Sequence, residues 1–186
     1  PDDFGVIAMA TLVITFAEVL FNLGVHVPLI QRNDITQEHY NAAWTLKVLQ
    51  TVVSTALIWC AAPLAAEYFN EERLVVVMRV ISFHLLLMGI ENIGVVNFQK
   101  EMNFAMDFKY RFSKRVIGFL VTILAAWMLK SYWALVIGTL VTSGVGAILS
   151  YVMHPMRPRF ATRKIKEIFS VSQWLLIDSV GNFLNH

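Results

Sequence analysis

The sequence predicts an all-α integral membrane protein, a polytopic transmembrane helix bundle, on three observations. Charged residues make up 15% of the 186 and hydrophobic residues 57%, for a mean hydropathy of +0.60, whereas a soluble domain carries about 25% charged residues to cover its core. Several stretches reach the roughly 20 apolar residues that carry a helix across a hydrocarbon core about 30 Å thick with its backbone donors satisfied internally. The basic residues, finally, gather on one side of those stretches. The same numbers exclude a disordered chain and an ordinary soluble enzyme, and 186 residues leave room for a single transmembrane domain, 1–186. A net charge of +2, with no Lys/Arg block interleaved with stacking aromatics, excludes nucleic acid as a partner.

The first span is expected at about 4–24, closed by Gly24 and Pro28. The second covers 42–66 and the third 74–98, with Asn70-Glu71-Glu72 between them. Pro63 falls near the end of the second span, where it marks the last turn or kinks it. A fourth span at 113–129 and a fifth at 133–153 are separated only by Lys130-Ser131-Tyr132, the mark of an antiparallel helical hairpin. Pro155 and Pro158 follow, and a sixth helix starts at 168 and runs to 186. The chain opens at Pro1 without Met or a basic signal-peptide region and closes inside a helical pattern, so it is expected to be an internal piece of a longer protein. Trp44, Tyr68, Tyr132, Trp133, Tyr151 and Trp174 lie near span ends, as interfacial belts require, while Trp59 and Trp127 fit less well. Gly138, Thr142, Gly146 and Ser150 recur every fourth residue on the fifth span, a small-residue stripe for close helix packing that carries no chemistry.

Orientation follows from the basic residues. If the chain alternates sides, segments 25–47, 99–115 and 153–168 share one face. They hold Arg32, Lys47, Lys100, Lys109, Arg111, Lys114, Arg115, Arg157, Arg159, Arg163, Lys164 and Lys166, against Arg73 and Lys130 opposite. The rich face is expected to be cytoplasmic, the clusters setting topology and touching anionic headgroups. A wrong span count would scramble that partition.

Ionisable groups at membrane depth cost roughly 2.5–3.5 kcal/mol each on insertion scales and mark function. Glu18 lies about 9 Å inside the first span, Lys47 and Gln50 about 5 and 9 Å inside the second, and Glu91 about 10 Å inside the third. Asp178 lies deeper on the sixth helix. His84 and Glu91 sit two turns apart on one face, while Arg79 points about 140° away and either snorkels outward or joins the cavity. Glu18, Lys47, Gln50, Arg79, His84, Glu91 and Asp178 are therefore the candidate residues of an inward-facing transport cavity. His26 and His39 read as ordinary loop residues and Cys60 as a small apolar-environment residue. No phosphate loop, metal-spaced His pair or nucleophile motif is present, so neither catalytic residues nor cofactor or metal ligands are expected. A polytopic bundle with charges aimed inward reads most economically as a transporter.

The sequence also resembles the polysaccharide flippases of the O-antigen, colanic-acid and teichuronic-acid type, in the superfamily that holds lipid II flippases and multidrug extrusion transporters. The resemblance rests on Asp3-Phe4-Gly5, Leu23-Gly24, Leu29-Ile30-Gln31-Arg32, Ile35-Thr36 and Asn41-Ala42-Ala43-Trp44. It continues with Phe98-Gln99-Lys100-Glu101-Met102-Asn103-Phe104, Trp133-Ala134-Leu135-Val136 and Pro155-Met156-Arg157-Pro158, in family order over most of the chain. It implies one lobe of a two-lobe alternating-access transporter in a bacterial inner membrane, completed by a C-terminal lobe. The implied substrate is an oligosaccharide on a polyprenyl pyrophosphate, turned from the cytoplasmic to the outer leaflet. Such an anion should meet Arg/Lys, yet the buried candidates include three carboxylates. Either the cationic contacts lie mainly elsewhere, or Glu18 and Glu91 line the cavity and serve proton or sodium coupling. Two alternatives remain, a multidrug or cation antiporter of the same superfamily and a membrane-embedded O-antigen polymerase or ligase. The latter calls for a large outward loop with catalytic Arg/His, and each outward loop here has about ten residues or fewer.

Overall fold

The computed structural model describes residues 2–21, 24–31, 34–166 and 169. Among them there are helices and turns and no strand. They are α1 (Asp2–Phe21), α2 (Val27–Gln31), α3 (Gln37–Phe69), α4 (Arg73–Gly89), a 3-10 turn (Ile93–Val95), α5 (Val96–Lys100), α6 (Phe104–Leu129) and α7 (Trp133–Met153). The sixth expected span, with Trp174 and Asp178, lies outside the described residues, as does Arg32.

Helices α3, α6 and α7 are long and apolar enough to cross a membrane, and α4 with its continuation makes a fourth only if the bent pair counts as one span. That is fewer than the five complete spans expected. Two observations bear on the difference. The expected first span, 4–24, falls only partly among the residues whose side chains are described, and helix α1 itself has 20 residues, about 30 Å in length. The expected third span is broken after Gly89 and turns by 67° into Ile93–Lys100. Helix α7 matches the fifth span, but α6 starts at Phe104, well before 113, and α3 extends the second span at both ends.

The ends of α3 explain its length. At its start the Nδ1 of His39 accepts from the Thr36 backbone N–H at 3.2 Å and from the Thr36 hydroxyl at 2.8 Å. His39, expected in a loop, is thus a buried residue of the first turn that satisfies an otherwise orphan donor. Pro63 does not end the helix, which runs on to Phe69 and closes on Asn70 in the left-handed conformation at φ 53°. Asparagine tolerates that conformation better than other side chains.

One half of the bundle is a dry core. Val6, Ala10 and Ile14 follow each other at four-residue spacing on α1 and pack on Leu74, Val77, Met78, Ile81 and Leu85 of α4. Ile58, Ala62 and Ala66 of α3 and Val136 of α7 complete it. Polar links reinforce the α3–α4 contact: Trp59 Nε1 donates to Ser82 Oγ at 3.0 Å, and Phe83 lies edge-on to the Trp59 ring at 5.7 Å. Trp59 is therefore a packing residue, which explains its poor fit to a belt. Trp44, placed in a belt by sequence, is buried and packs on Phe160 at 4.8 Å.

The α6–α7 hairpin turns on Lys130, also left-handed at φ 47°. The two helices interlock reciprocally, Thr142 seated over Gly118 and Thr122 over Gly138; a Cβ on either glycine would lie 1.9 Å from a threonine Oγ1. Each hydroxyl donates at 2.7 Å to a carbonyl of its own helix, so the close approach leaves no buried donor unmet.

Candidate functional site

The face of α1 that carries Val6, Ala10 and Ile14 reaches Glu18 one turn later, and there the apolar core gives way to a cavity of about 840 Å³ lined by charged and apolar side chains together. Helix α3 lines it with Lys47, Gln50, Thr51 and Ser54, the i, i+3, i+4, i+7 spacing of a single face. Helix α6 answers with Asp107, Tyr110, Arg111 and Lys114 at the same spacing, and Arg115 beside them. Glu91 and Asn92 enter from the break between α4 and α5, and His26 from the turn before α2.

The break is built by Asn92, which is fully buried. Its backbone N–H donates to Ser150 Oγ at 2.8 Å, its side-chain amide donates to the Met156 carbonyl at 2.7 Å, and its Oδ1 accepts from Gly94 N–H at 2.9 Å. The Ile90 carbonyl, left over at the bend, accepts from Tyr151 OH at 3.0 Å. These bonds replace the helical ladder that the bend interrupts, a condition for irregular backbone at membrane depth.

The bend aims Glu91 into the cavity, where Oε1 accepts from Lys114 Nζ at 2.9 Å and Oε2 lies 3.6 Å from Lys47 Nζ. One carboxylate, 10% exposed, thus joins α3 and α6 through two ammonium groups. Gly146 of α7 makes room for it, since a Cβ there would lie 2.5 Å from Glu91 Oε1 and 3.0 Å from Lys114 Nζ. The small-residue stripe of α7 therefore shapes the cavity wall as well as packing helices. Tyr110 OH donates to the Gly146 carbonyl at 3.2 Å and braces the same wall.

The remaining charges are arranged around this centre. Arg111 donates to Asp107 at 2.9 Å, one turn apart. Arg115 is exposed, and no ion pair engages it among the described residues. Glu18 contacts His84 at 2.6 Å. His26 is pushed below its ordinary imidazole value by desolvation first and then by the positive charges of Lys47 and Arg111. It is a wall residue, not the ordinary loop histidine expected.

Of the candidates named from sequence, Glu18, Lys47, Gln50 and Glu91 line one cavity. His84 stands behind Glu18 and touches the cavity through it. It does not share a helical face with Glu91, which lies beyond the end of α4. Arg79 is exposed and turned to the Trp59 ring, 5.7 Å from its centroid, and is not part of the wall. Sequence reading missed Asp107, Tyr110, Arg111, Lys114 and Arg115 because a hydropathy profile assigns such residues to a loop. The i, i+3, i+4, i+7 spacing of Asp107, Tyr110, Arg111 and Lys114, with Phe104, Phe108 and Phe112 at four-residue intervals beside them, is the available signal of a helix.

A family model described as polysaccharide biosynthesis protein matches residues 1–186. Among curated proteins the chain is 25% identical to the teichuronic acid biosynthesis protein TuaB of Bacillus subtilis, over 91% of this chain and 36% of that one. It is 25% identical to an uncharacterized membrane protein in the cps region of Klebsiella pneumoniae, over 100% of this chain and 39% of the relative. It is 23% identical to the lipopolysaccharide biosynthesis protein WzxC of Escherichia coli, over 98% and 38%. The chain thus spans little more than a third of the length of these relatives. No solved structure matches.

Proposed function

The chain belongs to the polysaccharide biosynthesis protein family, and on that premise we propose that it is a flippase and forms the cavity-bearing lobe of a transporter for polyprenyl-pyrophosphate-linked oligosaccharide. The transporter turns repeat units from the cytoplasmic to the outer leaflet of a bacterial inner membrane for surface polysaccharide assembly. It works with a second lobe and without chemical catalysis, by shielding sugar and pyrophosphate from hydrocarbon while the lipid tail stays in the bilayer.

One observation carries this reading. The cavity presents Lys47, Arg111, Lys114 and Arg115 against Glu18, Glu91 and Asp107. Three of the cations that this reading asks for, Arg111, Lys114 and Arg115, are on α6, and the fourth, Lys47, is on α3. Arg111 and Arg115 offer forked donors suited to phosphate oxygens, and Lys47 and Lys114 offer compact positive charges. A cationic drug would meet this wall unfavourably, which counts against the antiporter alternative.

The test is deletion of the gene followed by leaflet-resolved analysis of lipid-linked repeat units. Accumulation on the cytoplasmic leaflet, relieved by the wild-type gene and not by Lys114→Glu, is expected. Unaltered lipid-linked glycan with heightened sensitivity to cationic dyes would sink the reading in favour of drug extrusion.

A further inference from the structure

The two cavity carboxylates expected to serve ion coupling are in different states of engagement. Glu91 is compensated by two ammonium groups. Glu18 instead faces His84 across the α1–α4 contact, Oε1 to Nε2 at 2.6 Å. The other nitrogen settles the tautomer. His84 Nδ1 lies 2.8 Å from the Ile81 carbonyl, which can only accept, so Nδ1 carries hydrogen. Nε2 can then meet a carboxylate oxygen at 2.6 Å only if one further proton lies between them. That proton makes either imidazolium with carboxylate or imidazole with carboxylic acid, and both forms hold one proton more than the empty pair.

We infer that Glu18 and His84 form a one-proton binding site that ties α1 to α4 and couples proton binding to the transporter's conformational cycle. The inference rests on the transporter reading above and names the coupling ion. A proton fits and sodium does not, because a nitrogen at hydrogen-bond distance stands where a cation would need an oxygen cage. The path is present in the geometry: Glu18 is one-third exposed and lines the cavity, while His84 is 10% exposed behind it. The proton comes from cavity water, is shared by Oε1 and Nε2, and returns to cavity water. Its loss leaves one ring hydrogen for two acceptors, the Ile81 carbonyl and the Glu18 carboxylate, so the imidazole can no longer donate to both and the link across α1–α4 is weakened. Around the pair, α3 presents Lys47, α4 carries Glu91 at its bend and Arg79 turned toward Trp59, and α7 has Tyr151 as its one titratable side chain.

The experiment has two readouts on the whole protein in lipid. The first is pH-difference infrared spectroscopy of the wild type, Glu18→Gln, His84→Gln and the double variant. A proton-uptake signal present in the wild type, removed equally by either replacement and unchanged further in the double, is expected. Its persistence in His84→Gln, or its absence from the wild type, would overturn the pair. The second is flipping of a fluorescent short-chain isoprenyl pyrophosphate in vesicles with and without a pH gradient. The gradient dependence of the rate should disappear in both single variants, and its retention would overturn the coupling. If the wild type moves no probe, the flippase reading fails, while the infrared signal still decides the proton site.

Discussion

Glu91 holds the centre of the cavity because two lysines from different helices converge on it. Removing one partner of a buried ionic group leaves the others uncompensated, at a cost of about 3–5 kcal/mol. Glu91→Ala should lose stability at the lower end of that range, since both lysines reach the cavity, and Glu91→Ala with Lys114→Met should lose less than Glu91→Ala alone. Thermal unfolding in detergent checks the order; equal losses would show that the pair is uncoupled. Gly146→Val should disturb the same centre without touching a charge, because its side chain needs the space of Glu91 Oε1. His26 supplies a pH dependence. Its folded value is lowered, so its contribution to stability is present above the ordinary imidazole value of about 6.5 and is lost as pH falls toward the lowered folded one. Comparing unfolding midpoints of the wild type and His26→Gln from neutral to mildly acidic pH should show the wild type losing more on acidification.

At the scale of elements, hairpin and bend have opposite designs. The α6–α7 turn places Lys130 at φ 47°, where a Cβ is unfavourable. Lys130→Gly should stabilise by roughly 1 kcal/mol, read as a higher unfolding midpoint, and Lys130→Val should do the reverse. The hairpin itself was legible from the three residues between two apolar runs. The bend was not, because Ile90-Glu91-Asn92 sits in a continuous apolar stretch, and what breaks the helix is the set of partners Asn92 finds on Ser150 and Met156, far away in sequence. The start of α6 was hidden for a related reason. Hydropathy reports exposure to lipid, and a helix turn whose charges point into a polar cavity scores like a loop.

Among the described residues, an apolar core around Val77 and Met78 and a second around Leu29 and Trp44 stand apart in character from the charge-lined cavity around Glu91. That division was partly readable, since Glu18, Lys47, Gln50 and Glu91 were placed at similar depth by counting residues along separate spans. Of the two alternatives open for Arg79, the exposed position over the Trp59 ring agrees with the outward one, and angular position on one helix does not say which neighbour supplies an aromatic face. A binding prediction belongs to this scale. Charged hydrogen bonds contribute about 1.5–3 kcal/mol, so Arg115→Ala should weaken inorganic pyrophosphate binding roughly tenfold or more, while Arg79→Ala should leave it unchanged. Isothermal titration calorimetry on the whole protein decides it, and equal effects of the two replacements would remove the cavity from consideration as the anion site.

The bend also bears on the order of synthesis. The Ile90 carbonyl and the Asn92 amide are satisfied by Tyr151, Ser150 and Met156, all made after the ribosome has passed the bend by some sixty residues. Until α7 arrives, a bent α4–α5 would expose bare backbone to hydrocarbon, where each unmet group costs several kcal/mol. The segment must therefore wait as a straight helix, at the interface, or under the care of insertion machinery. Its final shape is a late event, and chains stopped before Tyr151 should be cleared by quality-control proteolysis faster than chains that include it.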